Sequence, residues 1–80
     1  MEEAIIQLLE LIKGGSTVYA DYRDCLTLIR EFRLTDKKAL KYSAELRLWI
    51  MKIMPKVKDT DTWFDLYKDA LLFEAPDLFD

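Results

Sequence analysis

Apolar residues recur along this chain at helical spacing. Ile5, Leu8, Leu9 and Ile12 fall at i, i+3, i+4 and i+7, so they form one stripe and predict a first helix over residues 2–13. Glu2 and Glu3 suit the positive end of its dipole, and Lys13 suits the other end. Gly14-Gly15 ends it, because glycine enters the left-handed conformation of a helix C-terminus without steric cost. Ser16 is placed to cap a second helix over 16–32, striped by Val18, Tyr22, Cys25, Leu26, Ile29 and Phe32. The β-branched pair Thr17-Val18 weakens its start. Arg30 and Arg33 lie in or just past its last turn, where cations are favoured.

Thr35 caps a third helix over 35–54, with Leu34 as the apolar residue before the cap, Asp36 in the first turn and Pro55 forcing the stop. Tyr42, Leu46, Trp49, Ile50 and Ile53 make its main face, with Ala39 beside them and Trp49 expected at the centre of the core. Advancing about 100° per residue, Leu40, Ala44, Leu48 and Met51 project to the far side, with Lys37, Lys41 and Lys52 flanking them. Packing of the first helix across this second stripe, the more ordinary arrangement, buries it. The lysines favour partial exposure instead, with Leu48 the most accessible, which makes the four residues a candidate partner-binding stripe. After a polar linker over 56–60, Asp61 or Thr62 caps a fourth helix over 61–75, and Thr62-x-x-Asp65 has the outline of a capping box. Trp63, Leu66, Tyr67, Ala70 and Leu71 line its inner face, and Pro76 closes it. Nothing alternates with period two. The prediction is an all-α fold: one domain over 1–80, a small bundle of three to four helices.

Eighty residues make one domain, and an apolar fraction of 51% argues against disorder. One cysteine allows no intrachain disulfide, and a chain without histidine lacks the usual zinc ligand sets. Uncharged runs fall short of the ~20 residues of a membrane span, and Glu2 and Glu3 stand where a signal peptide carries basic residues. The expectation is a soluble cytoplasmic protein. The net charge of −3 conceals segregation: residues 1–29 carry −3, 30–58 carry +6 and 59–80 carry −6. A basic middle suits an acidic partner or nucleic acid, with Lys37, Lys38, Lys41 and Lys52 as candidate phosphate or acidic-partner contacts. Pairing of that middle with the chain's own acidic tail is the plainer explanation.

No phosphate-binding glycine loop follows Gly14-Gly15, and no Ser/His or Cys/His pair exists. Asp59, Asp61, Asp65 and Asp69 outline a cation cluster, but their spacing is not that of a calcium loop, and a solvated helix N-terminus explains them better. Cys25 reads as a small core hydrophobe. The short connection Arg33-Leu34-Thr35 invites a helix-turn-helix reading, but Asp36, Lys37, Lys38 and Lys41 open the would-be recognition helix without Arg, Asn or Gln. No catalytic residue, cofactor, metal or small-molecule substrate is expected, and DNA contact should be weak.

The stretch Asp61-Thr62-Trp63-Phe64-Asp65-Leu66-Tyr67-Lys68, with Ala70-Leu71-Leu72-Phe73-Glu74-Ala75-Pro76, resembles the N-terminal region of some tailed-phage terminase large subunits. So do Tyr22-Arg23-Asp24-Cys25-Leu26 and Arg33-Leu34-Thr35-Asp36-Lys37-Lys38-Ala39-Leu40. The resemblance implies a helical segment preceding a packaging ATPase and a nuclease, in the host cytoplasm, contacting packaging partners or DNA. The Walker motif and nuclease carboxylates would lie beyond residue 80, so no catalytic residue is carried over. The combined expectation is a non-catalytic helical interaction domain, through a protein partner or self-association. Its rivals are a stand-alone helical modulator of another protein and a helix-turn-helix-like DNA-binding regulator.

Overall fold

Four α-helices account for most of the computed structural model, which describes residues 2–32 and 35–75. They are α1 (Glu2–Lys13), α2 (Tyr19–Glu31), α3 (Asp36–Ile53) and α4 (Thr60–Leu71), with one 3-10 turn at Met54–Lys56, and there is no strand among the described residues. The fold is a small all-α bundle.

Each boundary has a local cause. Gly15 sits at φ 106°, the Ser16 N–H donates to the Leu11 carbonyl and the Gly15 N–H to the Ile12 carbonyl. That is a Schellman closure, and it satisfies two orphan carbonyls of α1. Helix α2 starts three residues later than the expected Ser16. The Ser16 hydroxyl donates to Asp21 Oδ2 at 2.6 Å and accepts from the Val18 N–H at 3.2 Å, making a turn ahead of the helix. Val18, in extended conformation, is the N-cap residue; it stands outside the helical period and is exposed, not part of the core stripe.

Thr35 caps α3 by accepting from the Lys38 N–H at 3.3 Å, and Pro55 lies in the tighter turn that follows. Asp59, not Asp61 or Thr62, caps α4. Its Oδ1 accepts from the Thr62 N–H at 3.2 Å and its Oδ2 from the Thr62 hydroxyl at 2.6 Å. The same two bonds, the hydroxyl's foremost, hold the Asp59 carboxyl below its ordinary pKa. With the cap two residues earlier, Asp65 is out of capping range and pairs with Lys68 at 3.3 Å. The helix also ends sooner than expected, at Leu71, where the Glu74 and Ala75 N–H groups both turn back onto the Leu71 carbonyl. The expected roles of Arg33, Leu34 and Pro76, and the acids Asp77 and Asp80, lie outside the described residues.

Helix α1 lies chiefly on α2, α3 chiefly on α4, and α2 joins the two pairs by packing on α3. Between them sit Ile5, Leu9, Ile12, Tyr22, Cys25, Leu26, Ile29, Leu46, Ile50, Trp63, Leu66 and Ala70. Trp63 is the aromatic centre: it meets the Tyr22 ring edge-on at 4.8 Å and the Tyr19 ring edge-on at 5.2 Å. Trp49 does not hold the central place expected of it. It packs at the rim, half-buried, because its side of α3 faces the open turn after α1, and Lys52 Nζ covers its ring at 4.2 Å.

Candidate interaction surface

Because α1 packs chiefly on α2, no described element crosses the outer face of α3. Leu40 is 40% exposed, Met51 46% and Leu48 50%, with Ala44 partly exposed between them. The opposite face of the same helix is sealed: Leu46, Ile50 and Ser43 are fully buried, and the Ser43 hydroxyl donates back to the Leu40 carbonyl at 3.1 Å. The two stripes therefore divide α3 into a core side and an open side.

One edge of the open side runs into α4. Arg47 reaches Glu74, its Nε and Nη2 each 3.4 Å from a carboxylate oxygen. Partial burial disfavours the Arg47 cation, but the Tyr67 hydroxyl and the Glu74 charge outweigh it and its pKa rises. Phe64, 48% exposed, stacks on Tyr67 of the same helix at 6.1 Å.

The other edge carries the lysines. Other cations along the chain have carboxylate partners: Lys13 with Glu45 at 3.2 Å, Arg23 with Asp24, Arg30 with Asp69 at 3.8 Å, Lys38 with Glu2 at 2.9 Å, Arg47 with Glu74 and Lys68 with Asp65. Lys37, Lys41, Lys52, Lys56 and Lys58 form no ion pair among the described residues, and all are exposed. The basic middle is thus paired internally only in part, through Arg30 and Arg47 to the last segment and through Lys38 to the first. Of the four lysines singled out in the sequence, Lys38 reaches across to Glu2 of α1, Lys37 and Lys41 remain along the stripe, and Lys52 stands at its far end with its ammonium resting on the Trp49 ring.

The Lys38 pair belongs to a small network that fastens the start of α1 to α3. The Tyr42 hydroxyl donates to Glu2 Oε2 at 2.5 Å while Lys38 Nζ donates to Oε1. The Tyr42 bond, then the Lys38 bond, lowers the Glu2 pKa; the same carboxylate raises that of Tyr42. Neither residue carried a signal in the sequence beyond dipole and core patterning.

The remaining candidate chemistry is committed elsewhere. Cys25 is fully buried, and burial, followed by the charge of Glu45, pushes its thiol up to about 12. The Tyr22 hydroxyl donates to the Ser16 carbonyl at 2.6 Å at the wall of a cavity of about 130 Å³ that Ile12, Trp49, Lys52 and Ile53 also line. Among the described residues, no group of His, Cys, Asp or Glu could hold a metal ion, and no helix is long and apolar enough to cross a membrane. The residues Arg33 and Leu34 of the proposed helix-turn-helix connection lie outside the described residues.

No protein-family model, curated protein or solved structure matches the chain.

Proposed function

We propose that this chain is a non-catalytic helical interaction domain that docks a protein partner through the outer face of α3. The observation that carries the reading is the stripe of exposed Leu40, Leu48 and Met51, with partly exposed Ala44 between them, on a helix whose other face buries Ser43, Leu46 and Ile50. Leaving large apolar side chains in water forgoes about 25 cal/mol for each Å² of surface, a loss that a partner covering the stripe recovers. In the setting implied by the terminase resemblance, the domain is the N-terminal part of a phage DNA-packaging subunit, and the partner is another packaging component.

Leu48 provides the test. Leu48→Glu should leave the helical circular-dichroism signal intact, because the side chain makes no core contact. A photo-crosslinking residue at position 48 should capture a partner in the native cell far better than one at Glu31, which is exposed on α2. Equal capture at both positions, or loss of helix in Leu48→Glu, overturns the reading. The packaging setting has its own check, a parent reading frame that continues past Asp80 into a P-loop.

A further inference from the structure

We infer that the occupant of the α3 face is an acidic amphipathic helix of a partner protein. Its apolar stripe lies on Leu40, Leu48 and Met51, and its carboxylates range along Lys37, Lys41 and Lys52. The inference rests on the interaction reading above and adds the chemistry of the partner.

Three observations carry it. The first is selection by charge. Six cations are tied to carboxylates, and the described cations without a carboxylate partner gather along α3 and the turn after it. A lysine row beside an apolar stripe fits a ligand that is apolar in the centre and acidic at one rim.

The second is shape. Lys37 to Lys52 span about 22 Å of helix at 1.5 Å per residue, or roughly four turns of a helix laid alongside. The exposed apolar residues recur along α3 at the three- and four-residue steps that a partner's i, i+4 ridges can enter.

The third disfavours the two other occupants. Two copies paired antiparallel about a two-fold axis would set lysine row against lysine row. Paired in parallel, each row would face the edge where Glu74 is already held by Arg47. A nucleic-acid duplex would satisfy the lysines but press Leu40 and Leu48 against a charged backbone.

The test uses the 80-residue chain and two synthetic helical peptides that share one leucine stripe, one with glutamates along a single flank and the other with lysines there. The acidic peptide should bind at least roughly tenfold tighter at low salt, and the gap should close at about 1 M salt. The triple variant Lys37→Glu/Lys41→Glu/Lys52→Glu should reverse the preference, and Leu48→Glu should abolish binding of both peptides. If the triple variant fails to fold, the salt dependence of the unaltered chain decides. Equal affinity for both peptides, abolished by Leu48→Glu, would keep the apolar docking face and overturn its acidic occupant. Failure of both peptides to bind, tighter binding of duplex DNA, or a dimer in sedimentation that the acidic peptide does not dissociate would each overturn the inference.

Discussion

Trp63 and Trp49 each lie on the apolar face of a helix, yet they occupy different surroundings. Trp63 is 5% exposed and wedged against Tyr19 and Tyr22; Trp49 is open on one side and covered by Lys52. Trp63→Ala should therefore cost about 3–5 kcal/mol, enough to unfold much of a small domain, and Trp49→Ala roughly half of that. Thermal melts of both variants check the order; a lower melting temperature for Trp49→Ala would contradict the placement. The Glu2–Tyr42–Lys38 network makes a pH prediction. The Glu2 pKa is depressed, so its contribution is complete above the ordinary value of 4.5 and is lost as pH falls through the folded value. The Tyr42 pKa is raised, so its contribution is complete below 10.0 and is lost as pH rises through the folded value. Tyr42→Phe should flatten the stability profile at both ends, measured by denaturant midpoints across pH.

At the scale of the helices, periodicity located all four, while the caps set their ends. The α1 stop was legible because a Gly-Gly pair has few other uses after a helical stripe. Two starts were displaced because several polar residues compete at each. Ser16 hydrogen-bonds within a turn, and Asp59 reaches the Thr62 N–H ahead of Asp61. Asp59→Ala should cost about 1 kcal/mol, with Asp61→Ala costing less, as denaturant titrations would show. Gly15→Ala meets no neighbour within 4 Å, so its cost is backbone strain alone, about 1–2 kcal/mol from the positive φ. A melting temperature unchanged in Gly15→Ala would mean that the α1–α2 turn can relax.

Across the whole molecule, the principal dimensions of 34 × 32 × 16 Å accommodate two helix layers at about 8–10 Å spacing and no third layer over α3. The radius of gyration of 11.9 Å is that of a packed chain of this length, so the open face coexists with a complete core. The charge is divided along the chain, with acids over the first and last segments and, among the described residues, lysines without a carboxylate partner on α3 and the turn after it. Binding of the isolated domain to duplex DNA should accordingly be weak, non-specific and steeply reduced by salt. Nanomolar, sequence-selective binding at physiological salt would instead promote the DNA-binding alternative.

What the sequence by itself determined was the helical class, most of the residues that face inward on each helix and the existence of a second stripe on α3. These follow from residue spacing, which a helix converts directly into direction. Which tryptophan became the core pillar, which acid became a cap and which lysines stayed unpaired were settled only in three dimensions. Those outcomes depend on which helix lies beside which, and a wheel gives the direction of a side chain without the identity of its neighbour. The exposure of Leu40, Leu48 and Met51 is of this second kind. Their pattern was visible in the chain, but they are exposed because α1 packed chiefly on α2 and no described element lies over the outer side of α3.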